Sequence, residues 1–146
     1  MLPELLLAGT LVAVTVAVHA VGLAALLGPL TKLLDRPPTR FWPITWLLVR
    51  VTWWLIFIHL VAISIWGGFF YWQECVPDSE TAFYFSGVTY TTIGYGDVVL
   101  PVPWRMLGPL EGLTGILMCG LSAGVFFTVV SRVYPSHFVV EAPTDP

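Results

Sequence analysis

One run, Thr92-Ile93-Gly94-Tyr95-Gly96-Asp97, has the makings of a site for a bare cation. A cation that has shed its water needs oxygen ligands, and backbone carbonyls supply them without the cost of burying a fixed charge. Turning successive carbonyls inward requires backbone conformations that most residues resist and glycine adopts freely. Gly94 and Gly96 alternate with side-chain residues in the way this requires. Thr92 adds a hydroxyl oxygen at the inner mouth. Tyr95 is expected to point away from the axis, where its ring can wedge against neighbouring aromatics.

Such a run must be held in place, and its flanks indicate how. Asp78 or Ser79 offers an N-cap. From Ser79 to about Thr91 the sequence suits a helix of about three turns, with Phe83, Tyr84, Phe85 and Val88 as apolar contacts. The C-terminal end of that helix carries partial negative charge, which favours a cation beyond it. Pro101 and Pro103 follow the run, and Gln73 to Glu80 before it is polar and expected to be exposed. A short helix followed by non-helical backbone, set between two apolar runs, reads as a re-entrant loop. Non-helical backbone at membrane depth is tolerated only where it is buried in protein or lines a water-filled path.

Composition requires the membrane. Of 146 residues only 10% are charged, against roughly 25% in a soluble domain, while 57% are hydrophobic. Those values exclude a water-soluble globule and a disordered chain. A net charge of -3 excludes a strongly basic nucleic-acid binder. Two cysteines make neither a disulfide framework nor a zinc site, and with no nucleotide loop or catalytic metal cluster enzyme chemistry is not expected. Three stretches, Leu5 to Leu30, Val51 to Trp72 and Gly112 to Ser131, reach the roughly 20 apolar residues that a helical span needs. The first lacks the basic start and short apolar core of a signal peptide, so it is expected to be a mature helix.

Lys32, Arg36 and Arg40 lie between the first two stretches, with Arg50 just beyond and Arg132 at the end of the third. The segment between the second and third holds Glu74, Asp78, Glu80 and Asp97 but only Arg105. This places the first loop and the C-terminus in the cytoplasm and the N-terminus outside. Trp66, Tyr71 and Trp72 at one end of the second span, and Trp42 and Trp46 at the other, suit interfacial belts. The expected fold is an all-α membrane protein with three transmembrane helices, a re-entrant pore helix and a filter loop. Residues 1–43 form the first helix and basic loop, 44–134 the pore module, and 135–146 a short cytoplasmic tail.

Thr92-Ile93-Gly94-Tyr95-Gly96 resembles the selectivity-filter signature of potassium channels, with Ile where Val is commoner, and Asp97 matches the residue that follows it. Residues 44–134 resemble the pore module of bacterial potassium channels. The resemblance implies a homotetramer around one axis. Carbonyls of Thr92, Ile93, Gly94 and Tyr95, with the Thr92 hydroxyl, replace the hydration shell of K⁺. It also implies passive flow of K⁺ as the permeant ion, no cofactor, no nucleic acid, and sister chains and membrane lipid as partners in the plasma (cell inner) membrane. Tyr95 carries the K⁺ assignment, because non-selective relatives depart from the pattern there. A weakly selective cation channel and a non-conducting regulatory subunit are the alternatives, and the intact run argues against the second.

The chain also departs from that family. No helix carries the regularly spaced arginines of a voltage sensor, since Lys32, Arg36 and Arg40 are interrupted by Pro37 and Pro38. Val88 stands where some bacterial relatives place a pore-helix Glu, and Tyr84 and Phe85 where many have paired Trp. Tyr84 can still offer a hydroxyl to Asp97, so Gly96, Asp97, Tyr84 and Glu111 are the expected supports of the filter. Gly115 matches the gating-hinge glycine of the inner helix, with packing as its alternative role, and Ile116, Cys119, Ala123 and Phe127 are the expected cavity-lining positions.

The first span is extra relative to a two-span channel. Its stripe of Ala13, Ala17, Ala20, Ala24 and Gly28 suits close packing against the second span of its own or a neighbouring chain. Glu111 is expected to bond pore-helix groups or to pair with Arg105. His19 and His59 are expected near mid-membrane, bonding each other or nearby carbonyls, with a pH sensor as the sharper reading. Cys75 offers a bridge between two chains in an oxidising compartment.

Overall fold

The computed structural model describes residues 2–35 and 40–134; Arg36, Pro37, Pro38 and the 135–146 tail lie outside the described residues. Four α-helices account for most of it: α1 (Leu2–Leu34), α2 (Phe41–Trp72), α3 (Ser79–Tyr90) and α4 (Leu107–Val133), with a single 3₁₀ turn at Val102–Trp104. No strand occurs among the described residues. Three helices are long and apolar enough to cross a membrane. Each outruns the apolar stretch that announced it. At 1.5 Å per residue, the 33 residues of α1 extend about 50 Å, so its ends project past a hydrocarbon core of about 30 Å. α2 begins at Phe41, which puts Arg50 within the helix and the expected boundary at residue 44 inside its first turn. Pro43 is tolerated there because the first N–H groups of a helix have no intrahelical partner to lose.

The short α3 lies between α2 and α4. Its N-terminus is capped by Asp78, whose Oδ1 accepts from the Thr81 backbone N–H and whose Oδ2 accepts from the Thr81 hydroxyl, both at 2.8 Å. Those two bonds hold the Asp78 carboxyl below the usual carboxylate range. α2 meets α3 closely at Gly67, where a methyl group would stand 2.8 Å from the Phe83 ring. One core cluster gathers around this end of the molecule, including Trp66, Phe69, Phe70, Ala82, Leu100 and Leu107. Edge-to-face rings knit it together, Phe70 on Phe85 at 5.3 Å and Phe69 on Trp104 at 5.7 Å. At the opposite end Leu23 and Leu30 of α1 pack with Leu47, Val51 and Ile58 of α2 and Val129 and Val133 of α4. The first helix thus seats against both long helices of its own chain.

Within the protomer it does so with a face other than the small-residue stripe, which leaves that stripe only the neighbouring-chain role of the two expected for it. Among the described side chains of α1, Ala8, Thr15, His19, Leu23 and Leu30 are buried, whereas Ala13, Ala17, Ala20, Ala24 and Gly28 are exposed. The larger side chains fill the groove between α2 and α4, so the small-residue stripe faces away from the protomer. Contact with α2 instead uses Gly22, which lies against Ile58, and the Trp54 Nε1–H donates to the Gly22 carbonyl at 2.9 Å. The setting of Cys75 disfavours the bridge it offers. The residue is buried at 5% exposure in the cluster beside α3, and burial pushes its thiol up. A shielded thiol held protonated is a poor candidate for an interchain bridge.

α4 approaches α3 through glycines. A methyl group on Gly112 would stand 3.3 Å from the Thr89 carbonyl oxygen, and one on Gly115 would overlap the Tyr90 carbonyl oxygen and stand 2.8 Å from its carbon. Backbone cannot yield as a side chain can. Gly115→Ala is therefore expected to destabilise the protein by about 1–3 kcal/mol. Gly22→Ala, which meets a side chain rather than backbone, with Ile58 Cγ1 at 2.7 Å and Cδ1 at 2.8 Å, is expected to cost less. Thermal unfolding of both variants in one detergent measures the difference.

Candidate functional site

α3 ends at Tyr90, and its last carbonyls dictate the path of the chain beyond it. The last four carbonyls of any helix lack intrahelical partners. Here Gly87 O accepts from Thr91 N–H at 3.1 Å, and Thr89 O accepts from Thr92 N–H at 2.9 Å. Val88 O accepts from both Ile93 and Gly94 N–H, at 3.0 and 3.2 Å. The Thr91 hydroxyl adds a 2.6 Å bond to Gly87 O. Residues 92–94 are thereby folded back on the helix end instead of extending it.

Beyond that turn the backbone alternates in handedness. Thr92, Gly94 and Gly96 have φ of 62°, 59° and 76°, while Ile93 and Tyr95 between them do not have positive φ. In a β-strand consecutive carbonyls point to opposite sides; alternating left- and right-handed residues turns them to the same side. The sequence predicts this need at Gly94 and Gly96. It gives no sign of Thr92, because a β-branched residue at positive φ is a genuine outlier. Such a conformation costs on the order of 1–3 kcal/mol and persists only where the surroundings impose it; the bonds to Val88 and Thr89 carbonyls are that imposition.

Residues 91–97 are all exposed in the protomer, with Ile93 at 54% and Tyr95 at 70%. Behind them a cavity of about 230 Å³ is lined by Tyr84, Val88, Gly94 and Asp97, among others. The Tyr84 hydroxyl crosses it and donates to Asp97 Oδ2 at 2.7 Å, as the sequence anticipates, and Asp97 Oδ1 accepts from Val98 N–H at 3.1 Å. Thr92 through Asp97 and Tyr84 thus form one constellation. Ile116, Cys119, Ala123 and Phe127 are exposed on α4. Gly115, the expected hinge position, is buried against Tyr90, which gives it a packing role.

Glu111 is fully buried. Ser86 Oγ lies 2.5 Å from Glu111 Oε1 and 2.9 Å from the Ile63 carbonyl oxygen, so one hydroxyl ties α2, α3 and α4 together. Of the two expected partners for Glu111, the pore helix is the one observed. Arg105 sits ahead of α4 and donates through Nε to Leu100 O at 3.3 Å. His19 and His59 do not bond each other; both meet Ser122 Oγ, at 3.1 and 3.0 Å. Ser86 and Ser122 are the functional candidates that sequence reasoning missed. The available signal was that a hydroxyl inside an apolar helix requires a partner.

Glu111→Ala strips Ser86 of one partner and opens a cavity, and is expected to lower stability by about 2–4 kcal/mol. Glu111→Gln keeps an acceptor oxygen and most of the volume and is expected to stay near wild type, both by thermal unfolding. Tyr84→Phe deletes only the hydroxyl on Asp97. It is expected to leave the fold intact and shorten open bursts in single-channel records; unchanged bursts would remove Asp97 anchoring from the account.

A family model described as ion channel matches residues 58–132, just over half of the chain. Neither curated proteins nor solved structures give a significant match. The matched segment runs from mid-α2 through the pore helix and the 92–97 run to the end of α4, and the chain belongs to the ion channel family.

Proposed function

We propose that the protein is a passive, K⁺-selective channel that works as a homotetramer, with residues 92–96 of four chains around one conduction axis. The observation that carries this reading is the alternation of backbone handedness at Thr92, Gly94 and Gly96 within a Thr-Ile-Gly-Tyr-Gly run. That alternation is the backbone pattern that lets carbonyls of Thr92, Ile93, Gly94 and Tyr95 face one way, and on this reading rings of them from several chains stand in for the water of a dehydrated K⁺. One chain offers one such strand. Leu113, Ile116, Leu117 and Phe127 on α4, and Tyr95 beside the filter, each stay about half exposed or more in the protomer, which supports burial against sister chains.

The electrostatics favour a cation. The C-terminal end of α3 abuts the run and contributes partial negative charge, and Asp97 lies at its far end. Passive flow needs no further chemistry, only sites that bind well enough to enter and weakly enough to leave. In the membrane the reading puts the N-terminus outside and the C-terminus in the cytoplasm.

Liposomes containing the purified chain test the reading. A K⁺ gradient is expected to drive flux with Na⁺ largely excluded. Equal passage of both ions would replace selectivity with a weakly selective cation pathway, and no flux would leave a non-conducting subunit. Gly94→Ala places a Cβ at φ 59°, with open space around it but a backbone cost of about 1–2 kcal/mol. K⁺ flux is expected to fall by about tenfold while assembly, seen by size-exclusion chromatography, persists.

A further inference from the structure

A chain of polar groups runs through the interior with one member from each helix. His19 on α1 and His59 on α2 each place Nε2 against Ser122 Oγ of α4, at 3.1 and 3.0 Å, and His59 Nδ1 lies 3.1 Å from the Tyr90 hydroxyl of α3. The two imidazole rings are 4.9 Å apart at an angle of 50°. His19, Ser122 and Tyr90 are buried. Ser122 therefore bridges two histidines that sequence spacing alone does not relate.

The far end of this chain is the filter. Tyr90 is the last residue of α3 and stands two residues before Thr92. Its ring is tied to His59, and its carbonyl is pressed on Gly115. Tyr90 is fixed on both sides, and the strained φ at Thr92 begins from that fixed point.

The bonds are also interdependent. A neutral imidazole donates through one nitrogen and accepts through the other, and a serine hydroxyl has one hydrogen to give. His59 sits between two partners, so a donor role toward Ser122 makes it an acceptor toward Tyr90 and the reverse, and Ser122 can give its one hydrogen to only one of the two histidines. Removing one member leaves a polar group without a partner in an apolar interior, where this is costly. It also frees the remaining members to reverse.

We propose that His19, Ser122, His59 and Tyr90 form a positioning relay through which α1 sets the seat of the filter. The first helix is on this account a working part of the pore. The relay rests on the channel reading above, and its test keeps the two apart.

The experiment uses the full chain in liposomes, with K⁺ and Na⁺ flux measured for wild type, His19→Ala, His19→Gln, Ser122→Ala, Tyr90→Phe and the His19→Ala/Ser122→Ala double variant. Wild type is read first: no K⁺ preference overturns the channel reading and the relay with it. Given a selective wild type, each single deletion is expected to lower the K⁺/Na⁺ flux ratio by about two- to tenfold, the worth of one hydrogen bond. His19→Gln, which returns a polar group near the place of Nε2, is expected to restore the ratio, and the double variant to be no worse than Ser122→Ala alone. A helix that merely braces the fold predicts altered thermal stability with an unchanged ratio, and that result overturns the relay. Rescue that fails with Gln, or additive losses in the double variant, overturns it too. Tyr90→Phe removes one oxygen atom and decides the matter if the alanine variants do not assemble.

Discussion

Backbone that leaves the helical path between two membrane-spanning helices must have its polar groups met by protein or by a water-filled path, and residues 91–97, which follow α3 and are not helical, are such backbone. Much of the remaining structure serves that constraint. The carbonyls ending α3 take up the N–H groups of Thr91 to Gly94, which determines where the chain turns and forces Thr92 into a left-handed conformation. α3 is too short to stand alone, since isolated helices below about 12–15 residues are marginal. It is held by a cap at Asp78, by Phe83 on Gly67, by Ser86 between Ile63 and Glu111, and by two bare glycines of α4.

Three kinds of close approach share this work, and each has its own physical cause. Glycine permits contact of backbone with backbone at Gly112 and Gly115. Aromatic edges fill the wider gaps near Phe69, Phe70 and Trp104. Hydroxyls and imidazoles join helices where apolar packing gives little direction, because lipid is as apolar as the side chains themselves. A helix pair held by shape alone can slide; one held by Ser86 or Ser122 has a register.

Much of this was legible in the sequence. Long uncharged runs bounded by Trp and basic residues announce the spans, and Asp78 ahead of an aromatic stretch announces the short helix. The Gly94 and Gly96 alternation announces the site, because glycine reports backbone need directly. What could not be read is which face of α1 turns inward. Small residues permit close packing but do not demand it, and the demand came from Thr15, His19 and Leu23 on another face. Thr92 was opaque for the opposite reason: its residue type argues against the conformation that hydrogen bonds impose on it. The partners of Glu111 and the histidines lie 25 to 103 residues away, and a hydroxyl in an apolar run does not say which neighbour it will meet.

The 103-residue separation between His19 and Ser122 bears on biosynthesis. A chain emerging from the ribosome delivers α1 to the bilayer first and α4 last. Through most of translation His19 sits in hydrocarbon without the oxygen that will receive it. The first helix thus waits on the last for its Nε2 partner, and a chain truncated before residue 122 carries an α1 whose imidazole lacks the Ser122 contact.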